Sequence, residues 1–159
     1  IKKLQFYHNI ASIMHACGIS ADLLEIEITE SVLQSEDSCI STLDQLQDLG
    51  IVIAIDDFGT GYSCLSSLKL LPINKLKIDK AFIQGLPTDK NDVAITESII
   101  AIAKTLDMRV IAEGVETAAQ LAFLKQHHCD EVQGFYYFTP LPASDIRTLL
   151  TRQALNDPH

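Results

Sequence analysis

At 159 residues and 47% hydrophobic, the chain has the length and apolar content of one globular domain with a sizeable core, which excludes a disordered or fibrous protein. A net charge of −9 and a pI near 4.8 oppose a nucleic acid polymer or an anionic membrane surface as partner, so a phosphate-bearing ligand would need local cations, a bound metal being the obvious one. Cys17, Cys39, Cys64 and Cys129 lie far apart with no Cys-x-x-Cys, the pattern of free packing thiols in a reducing compartment, and no run reaches the roughly 18 apolar residues of a membrane span.

The elements follow in chain order. Residues 4–17 put Leu4, Tyr7, Ile10, Ala11, Met14 and Cys17 on one stripe, which predicts a covering helix stopped at Gly18; His8 and His15 on it read as surface or packing residues. Residues 23–28 alternate Glu25 and Glu27 against Ile26 and Ile28, a strand with acids on one face, where Glu25 reads as a salt-bridged structural residue. A helix over 37–49 ends at Gly50. The stretch IVIAIDDFGTGYSCL, 51–65, then reads as a buried strand closed by Asp56 and Asp57, a glycine loop and the start of a short helix over 64–71 that Pro72 stops.

Residues 75–79, KLKID, form another alternating strand with Lys75, Lys77 and Asp79 on one face. An amphipathic helix spans 91–107, a strand 109–112 ends at Glu113, and a helix over 117–128 ends at His127 and His128, which read as dipole-stabilising or solvated. The last strand is 131–135, followed by a Pro-containing loop over 139–142 and a helix over 143–153. The chain thus divides into a covering helix and βα units at about 23–49, 51–71, 75–107, 109–128 and 131–153, all within one domain, 1–159.

Strands alternating with helices imply a parallel α/β sheet, either open and doubly wound or closed into a barrel. Polar groups fall near the C-terminal end of every strand: Glu27, Asp56 with Asp57, Lys77 with Asp79, Glu113, and Gln133. An open sheet gathers its site at one switch point, whereas a barrel collects residues from all strands at its C-terminal mouth, so a TIM-like (β/α) barrel is predicted. The absence of G-x-G-x-x-G after the first strand points the same way.

A core cannot hold Asp56 and Asp57 ionised without a metal, a lysine or water beside them. Several carboxylates and an amide, without clustered His or Cys, form a hard oxygen site suited to Mg²⁺ or Mn²⁺. Two such ions would stabilise the attacking and leaving oxygens of a phosphodiester hydrolysis, with Lys77 orienting water or offsetting phosphate charge and Glu113 or Asp79 as further ligand or base. The loop over 58–63 offers backbone N–H groups to a phosphate. Proton abstraction beside a carboxylate, as in enolase-type barrels, uses the same residue types, and composition and spacing leave both chemistries open.

The segments Glu27-Ile28-Thr29-Glu30-Ser31, Asp56-Asp57-Phe58-Gly59-Thr60-Gly61-Tyr62-Ser63, Lys77-Ile78-Asp79, Glu113-Gly114-Val115-Glu116-Thr117 and Gln133-Gly134-Phe135 stand in the order seen in EAL-type cyclic di-GMP phosphodiesterases. The chain resembles that family over about 4–150. The resemblance implies a modified TIM barrel, here incomplete with about five to six strands, that hydrolyses cyclic di-GMP to pGpG with Mg²⁺ or Mn²⁺ in bacterial second-messenger signalling. It implies metal ligation by Glu27, Asp56 and Asp57, water positioning by Lys77 and a base or positioning role for Glu113. By the same resemblance Glu30 would brace the loop containing Phe58, Gly59, Thr60 and Gly61, which in the family is tied to metal binding and dimerisation. Glu116, Gln133 and Pro140 would be substrate-binding or loop-positioning residues. Tyr136 and Tyr137 would either stack on a guanine or pack the barrel rim.

The family's Glu-Ala-Leu strand and an Asn ligand on the next strand are expected upstream. The chain does not begin with Met, Ile1-Lys2-Lys3 is no signal peptide, and it reads as a piece of a longer cytoplasmic or membrane-anchored protein with sensory or diguanylate cyclase-like domains before it. Such a fragment is expected to be weak or inactive alone and to pair through its open sheet edges, consistent with a homodimer. A receptor that binds the nucleotide without cleaving it, and a dimerisation module, are the alternatives.

Overall fold

The structure, a computed structural model, describes residues 2–31, 37–61 and 68–156. Five parallel strands, β1 (Glu25–Thr29), β2 (Val52–Phe58), β3 (Lys75–Ile78), β4 (Arg109–Glu113) and β5 (Glu131–Gln133), pair in the order β1-β2-β3-β4-β5. Strand order that follows chain order has no switch point, which is the winding of a barrel rather than of a doubly wound sheet. Among the described residues the sheet does not close, and β1 and β5 are its edges.

Helices α1 (Lys2–Cys17), α2 (Asp37–Asp48), α3 (Lys80–Ile83), α4 (Lys90–Thr105), α5 (Ala118–Gln126) and α6 (Ala143–Asn156) alternate with the strands. No described helix is long and apolar enough to cross a membrane. The core joins the apolar run Ile51, Ile53, Ala54 and Ile55 to Leu43 and Leu46 of α2, Leu76 and Ile78 of β3, Ile99, Ile100 and Ala103 of α4, and Leu121 and Leu124 of α5. A parallel strand covered on both faces needs such a continuous apolar run. From the predicted stripe of α1, Ile10 and Met14 reach this core, while Cys17, His8 and His15 are exposed. Cys17 is therefore no packing thiol, whereas Cys129 is half-buried with its Sγ 3.2 Å from the Glu131 carbonyl.

Side chains pin the strand starts and helix ends. Asn74 accepts at Oδ1 from Ile53 N–H and donates its own N–H to Ile53 O, locking β3 to β2 (2.8 and 2.9 Å). Asp130 Oδ2 accepts from Val110 N–H at 2.8 Å and does the same for β4 and β5. Asp89 caps α4 by accepting from Asn91 and Asp92 N–H, and Thr117 and Gln120 form a capping box on α5. The buried Gln120 amide also donates to Ile83 O at 3.0 Å, tying α5 to α3.

Two boundaries near the site differ from the sequence reading. Asp79 is not the last strand residue; its carboxylate accepts from Ala81 N–H at 2.7 Å and caps the unforeseen helix α3. β5 stops at Gln133 because Gly134 turns closely over Val115, where Tyr136 N–H donates to Val115 O at 2.9 Å. Of the predicted helix 64–71, residues 64–67 lie outside the described ones, as do Tyr62 and Ser63 of the glycine loop; Leu68 and Leu71 are buried.

The sheet is strongly curled. Strands lie about 4.8 Å apart, so on a flat sheet β1 and β5 would each stand about 10 Å from β3, on opposite sides. Yet Lys75 Nζ on β3 reaches Glu25 of β1 at 2.8 Å and Glu131 of β5 at 2.9 Å. The concave face therefore holds charges, and both lysines of β3 are buried.

Candidate functional site

At the C-terminal ends of the strands the concave face carries Lys77, whose side chain is 5% exposed. Its Nζ lies 2.6 Å from Glu27 Oε1 (β1), 2.8 Å from Asp56 Oδ1 (β2) and 2.7 Å from Glu113 Oε1 (β4). Burial by itself pulls this ammonium down, but its contacts with the carboxylates of Asp56, Glu113 and Glu27 outweigh it and hold the lysine well above its ordinary value. Lys77 is thus a fixed cation ringed by acids from three strands.

Asp57 follows Asp56 at a break in the β2–β3 register and takes a left-handed φ of 53°. Such a conformation is uncommon for a residue with a side chain and recurs at functional sites, as register breaks do. It turns two consecutive carboxylates to the same end of the sheet, where strict alternation would have separated them. Hydrogen bonding with Asp79, partial desolvation and the charge of Asp56 push the Asp57 carboxyl up. One oxygen each from Asp56, Asp57 and Glu113 lies within 4.8 Å of the others. Asp56 Oδ1 is buried, and its partner is the ammonium of Lys77 in an ion pair at 2.8 Å. Crowded hard-oxygen donors, one of them incompletely satisfied, fit a divalent cation such as Mg²⁺ or Mn²⁺.

Glu30 is buried, and its Oε2 accepts from Gly59 N–H at 3.2 Å and Gly61 N–H at 3.1 Å. Of the loop N–H groups that the sequence suggested for phosphate, those of Gly59 and Gly61 are thus already committed to Glu30, and Thr60 donates through Oγ1 to Asp57 O at 2.8 Å. Gly61 is needed for this approach, since a Cβ there would stand 2.8 Å from Glu30 Oε1. Phe58 is buried in the core, so its role is packing. On the other flank a cleft of about 300 Å³ brings Glu113, Glu116 and Gln133 together with Lys80, Gln84 and Phe135. Pro140 lies apart from the acids, in a neighbouring apolar cleft of about 400 Å³ that Gln133 also borders. Tyr136 and Tyr137 are exposed and meet edge-to-face at 5.1 Å.

Reading the sequence missed the bond from Gln120 to Ile83 O and the pairing of Lys75 with both edge strands. The parity of Lys75 with Lys77 carried a signal for the second, but its reach depends on the curl. His127 stacks on Phe123 (ring centroids 4.2 Å apart) away from the site.

The sequence matches the EAL domain family over residues 1–140. It is 44% identical over 138 residues to the cyclic di-GMP phosphodiesterase NbdA of Pseudomonas aeruginosa, covering 86% of this chain and 18% of that protein. It is 41% identical over 152 residues to the bifunctional diguanylate cyclase/cyclic di-GMP phosphodiesterase MucR of the same organism, covering 92% and 22%. The chain thus spans about a fifth of the length of these curated relatives. Among solved structures, the EAL domain of Mycobacterium smegmatis DcpA superposes with a TM-score of 0.87 at 40% identity, covering 92% of this chain and 66% of that one. With its parallel strands in chain order and its acids at their C-terminal ends, the chain belongs to the EAL domain family.

Proposed function

We propose that this chain carries the hydrolytic site for cyclic di-GMP, opening one phosphodiester to give the linear dinucleotide pGpG. The observation that carries the reading is the ammonium of Lys77 held by Glu27, Asp56 and Glu113 with Asp57 beside them, at the mouth of a barrel-like sheet. The names of NbdA and MucR support the choice of substrate.

Glu27, Asp56 and Asp57, with Glu113 adjoining, would hold Mg²⁺ or Mn²⁺. When bound, such an ion activates water and offsets charge on the phosphodiester. Lys77 stays protonated, so it serves as a hydrogen-bond donor at Nζ that orients the attacking water and offsets phosphate charge, and it cannot act as the base. Glu113, 20% exposed at the cleft, would accept the water's proton at a carboxylate oxygen. Asp79 has one oxygen committed to Ala81 N–H and acts by holding Asp57, a positioning role rather than that of a base. Glu30 braces the loop at Gly59 and Gly61, and Glu116, Gln133 and Pro140 border the clefts that would take the nucleotide. We assign a homodimer and a preceding sensory or cyclase-like domain as partners, the cyclase-like domain in keeping with the name of MucR.

The test is hydrolysis of cyclic di-GMP by the protein at its natural length, with Mg²⁺ or Mn²⁺, beside an Asp56→Ala variant. Metal-dependent formation of pGpG that the substitution abolishes is the expected result. Nucleotide binding without cleavage in the unmutated protein would refute it in favour of a receptor.

A further inference from the structure

Beneath the ring around Lys77, on the same concave face, lies a second charged tier. Lys75 is nearly inaccessible, its side chain 9% exposed, and its ammonium bridges Glu25 on the first strand and Glu131 on the last. Arg109 Nη1 on β4 pairs with the other oxygen of Glu131 at 3.1 Å. Three members of this tier stand two residues before a residue of the upper site, on the same strand and face: Glu25 before Glu27, Lys75 before Lys77, and Glu131 before Gln133. The tier is balanced, two cations against two acids, so it has no call for a metal. Its net effect on Lys75 is to raise that ammonium, because the hydrogen bonds of Glu25 and Glu131 outweigh the lowering by burial.

We propose that Lys75 is a positioning residue, which by holding Glu25 of β1 and Glu131 of β5 against β3 sets the spacing at which Glu27, Asp56, Asp57 and Glu113 converge on a divalent cation. Without that ammonium Glu25 loses this counter-charge and faces Glu131 across the concave side, and the repulsion and rehydration of the two acids draw β1 away from β3, taking Glu27 away from the acids of β2 and β4. Displacements of about 1 Å at such a site cost on the order of tenfold or more in rate. The proposal rests on the metal-dependent phosphodiesterase reading above.

Mn²⁺ is titrated calorimetrically into the protein at its natural length, unmutated and as Lys75→Met and Lys75→Arg, and hydrolysis of cyclic di-GMP is measured on the same samples. Lys75→Met is expected to weaken Mn²⁺ affinity about tenfold with unchanged stoichiometry, and to lower kcat with little change in KM. Lys75→Arg restores the affinity to within threefold. A merely structural role would reduce the binding stoichiometry through loss of folded protein and leave the affinity of the remainder intact. Affinity of Lys75→Met within twofold of the unmutated protein overturns the inference while normal hydrolysis keeps the functional reading. The affinity loss without hydrolysis by any form removes the phosphodiesterase reading and leaves this one standing, and a protein that binds no Mn²⁺ removes both.

Discussion

Replacing Lys77 by Met keeps most of the side-chain volume and deletes the cation that three acids share. Those acids differ in their access to water, Glu113 being 20% exposed, Asp56 27% and Glu27 48%. Removing one partner of a fully buried ion pair typically costs about 3–5 kcal/mol, because the charge left behind is uncompensated. Partial hydration of these acids places the substitution at the lower end, about 3 kcal/mol. For a domain of this size that corresponds to a fall in Tm of about 6–12 °C. The measurement is thermal unfolding in EDTA and again with excess Mn²⁺, both at pH 7. With the ammonium gone, a divalent cation is the remaining way to neutralise the cluster. Mn²⁺ should therefore raise the Tm of Lys77→Met more than that of the unmutated protein, while hydrolysis stays abolished. A Tm within 2 °C of the parent in EDTA, or no extra response to Mn²⁺, would refute the view that Lys77 balances these carboxylates.

Other consequences are read from single contacts. Gly134→Ala would drive a Cβ into the backbone N and O of Val115, which cannot move aside as a flexible side chain can. A loss of roughly 3 kcal/mol is expected, measurable by urea denaturation. Thr117→Ala removes one half of the α5 capping box and should cost about 1 kcal/mol in the same assay, without changing Mn²⁺ affinity. The stabilisation from Lys75 has a defined pH window. Its folded pKa lies above the ordinary lysine value of 10.5, so the folded state binds the proton more tightly. The stability gap between the unmutated protein and Lys75→Met should therefore be level from pH 7 to about 10 and shrink as pH climbs through the raised value. A gap that widened with alkalinity would contradict the pairing.

The candidate site was legible because period-two alternation and strand direction are local properties. Glu27, Lys77 and Glu113 could be placed on one face and at one end of a parallel sheet without knowledge of any tertiary contact. Asp57 could be named but not oriented, since strict alternation turns it away from Asp56 and the register break with its left-handed φ turns it back. Asp79 was misplaced for a similar reason: a carboxylate that continues a strand pattern is equally suited to capping a helix, and the Ala81 N–H made that choice. The N–H groups of Gly59 and Gly61 looked free because their acceptor, Glu30, is remote in sequence, 29 residues before Gly59.

What alternation could not convey is the curl of the sheet. The pattern KLKI reads as a strand with one polar face, and polar faces ordinarily meet water. Here all four residues are buried, because the polar face is the concave one. Charges confined there have to be balanced tier by tier. Around Lys75 and Arg109 the balance is complete with Glu25 and Glu131. One tier higher, the single ammonium of Lys77 faces Glu27, Asp56 and Glu113 directly, with Asp57 and Asp79 close by. The two tiers share a fold and a face but not a charge balance. The lower closes on itself and can serve as a frame, whereas the upper has a surplus of anionic oxygen that calls for a further cation, and this difference marks the C-terminal mouth as the candidate cation site.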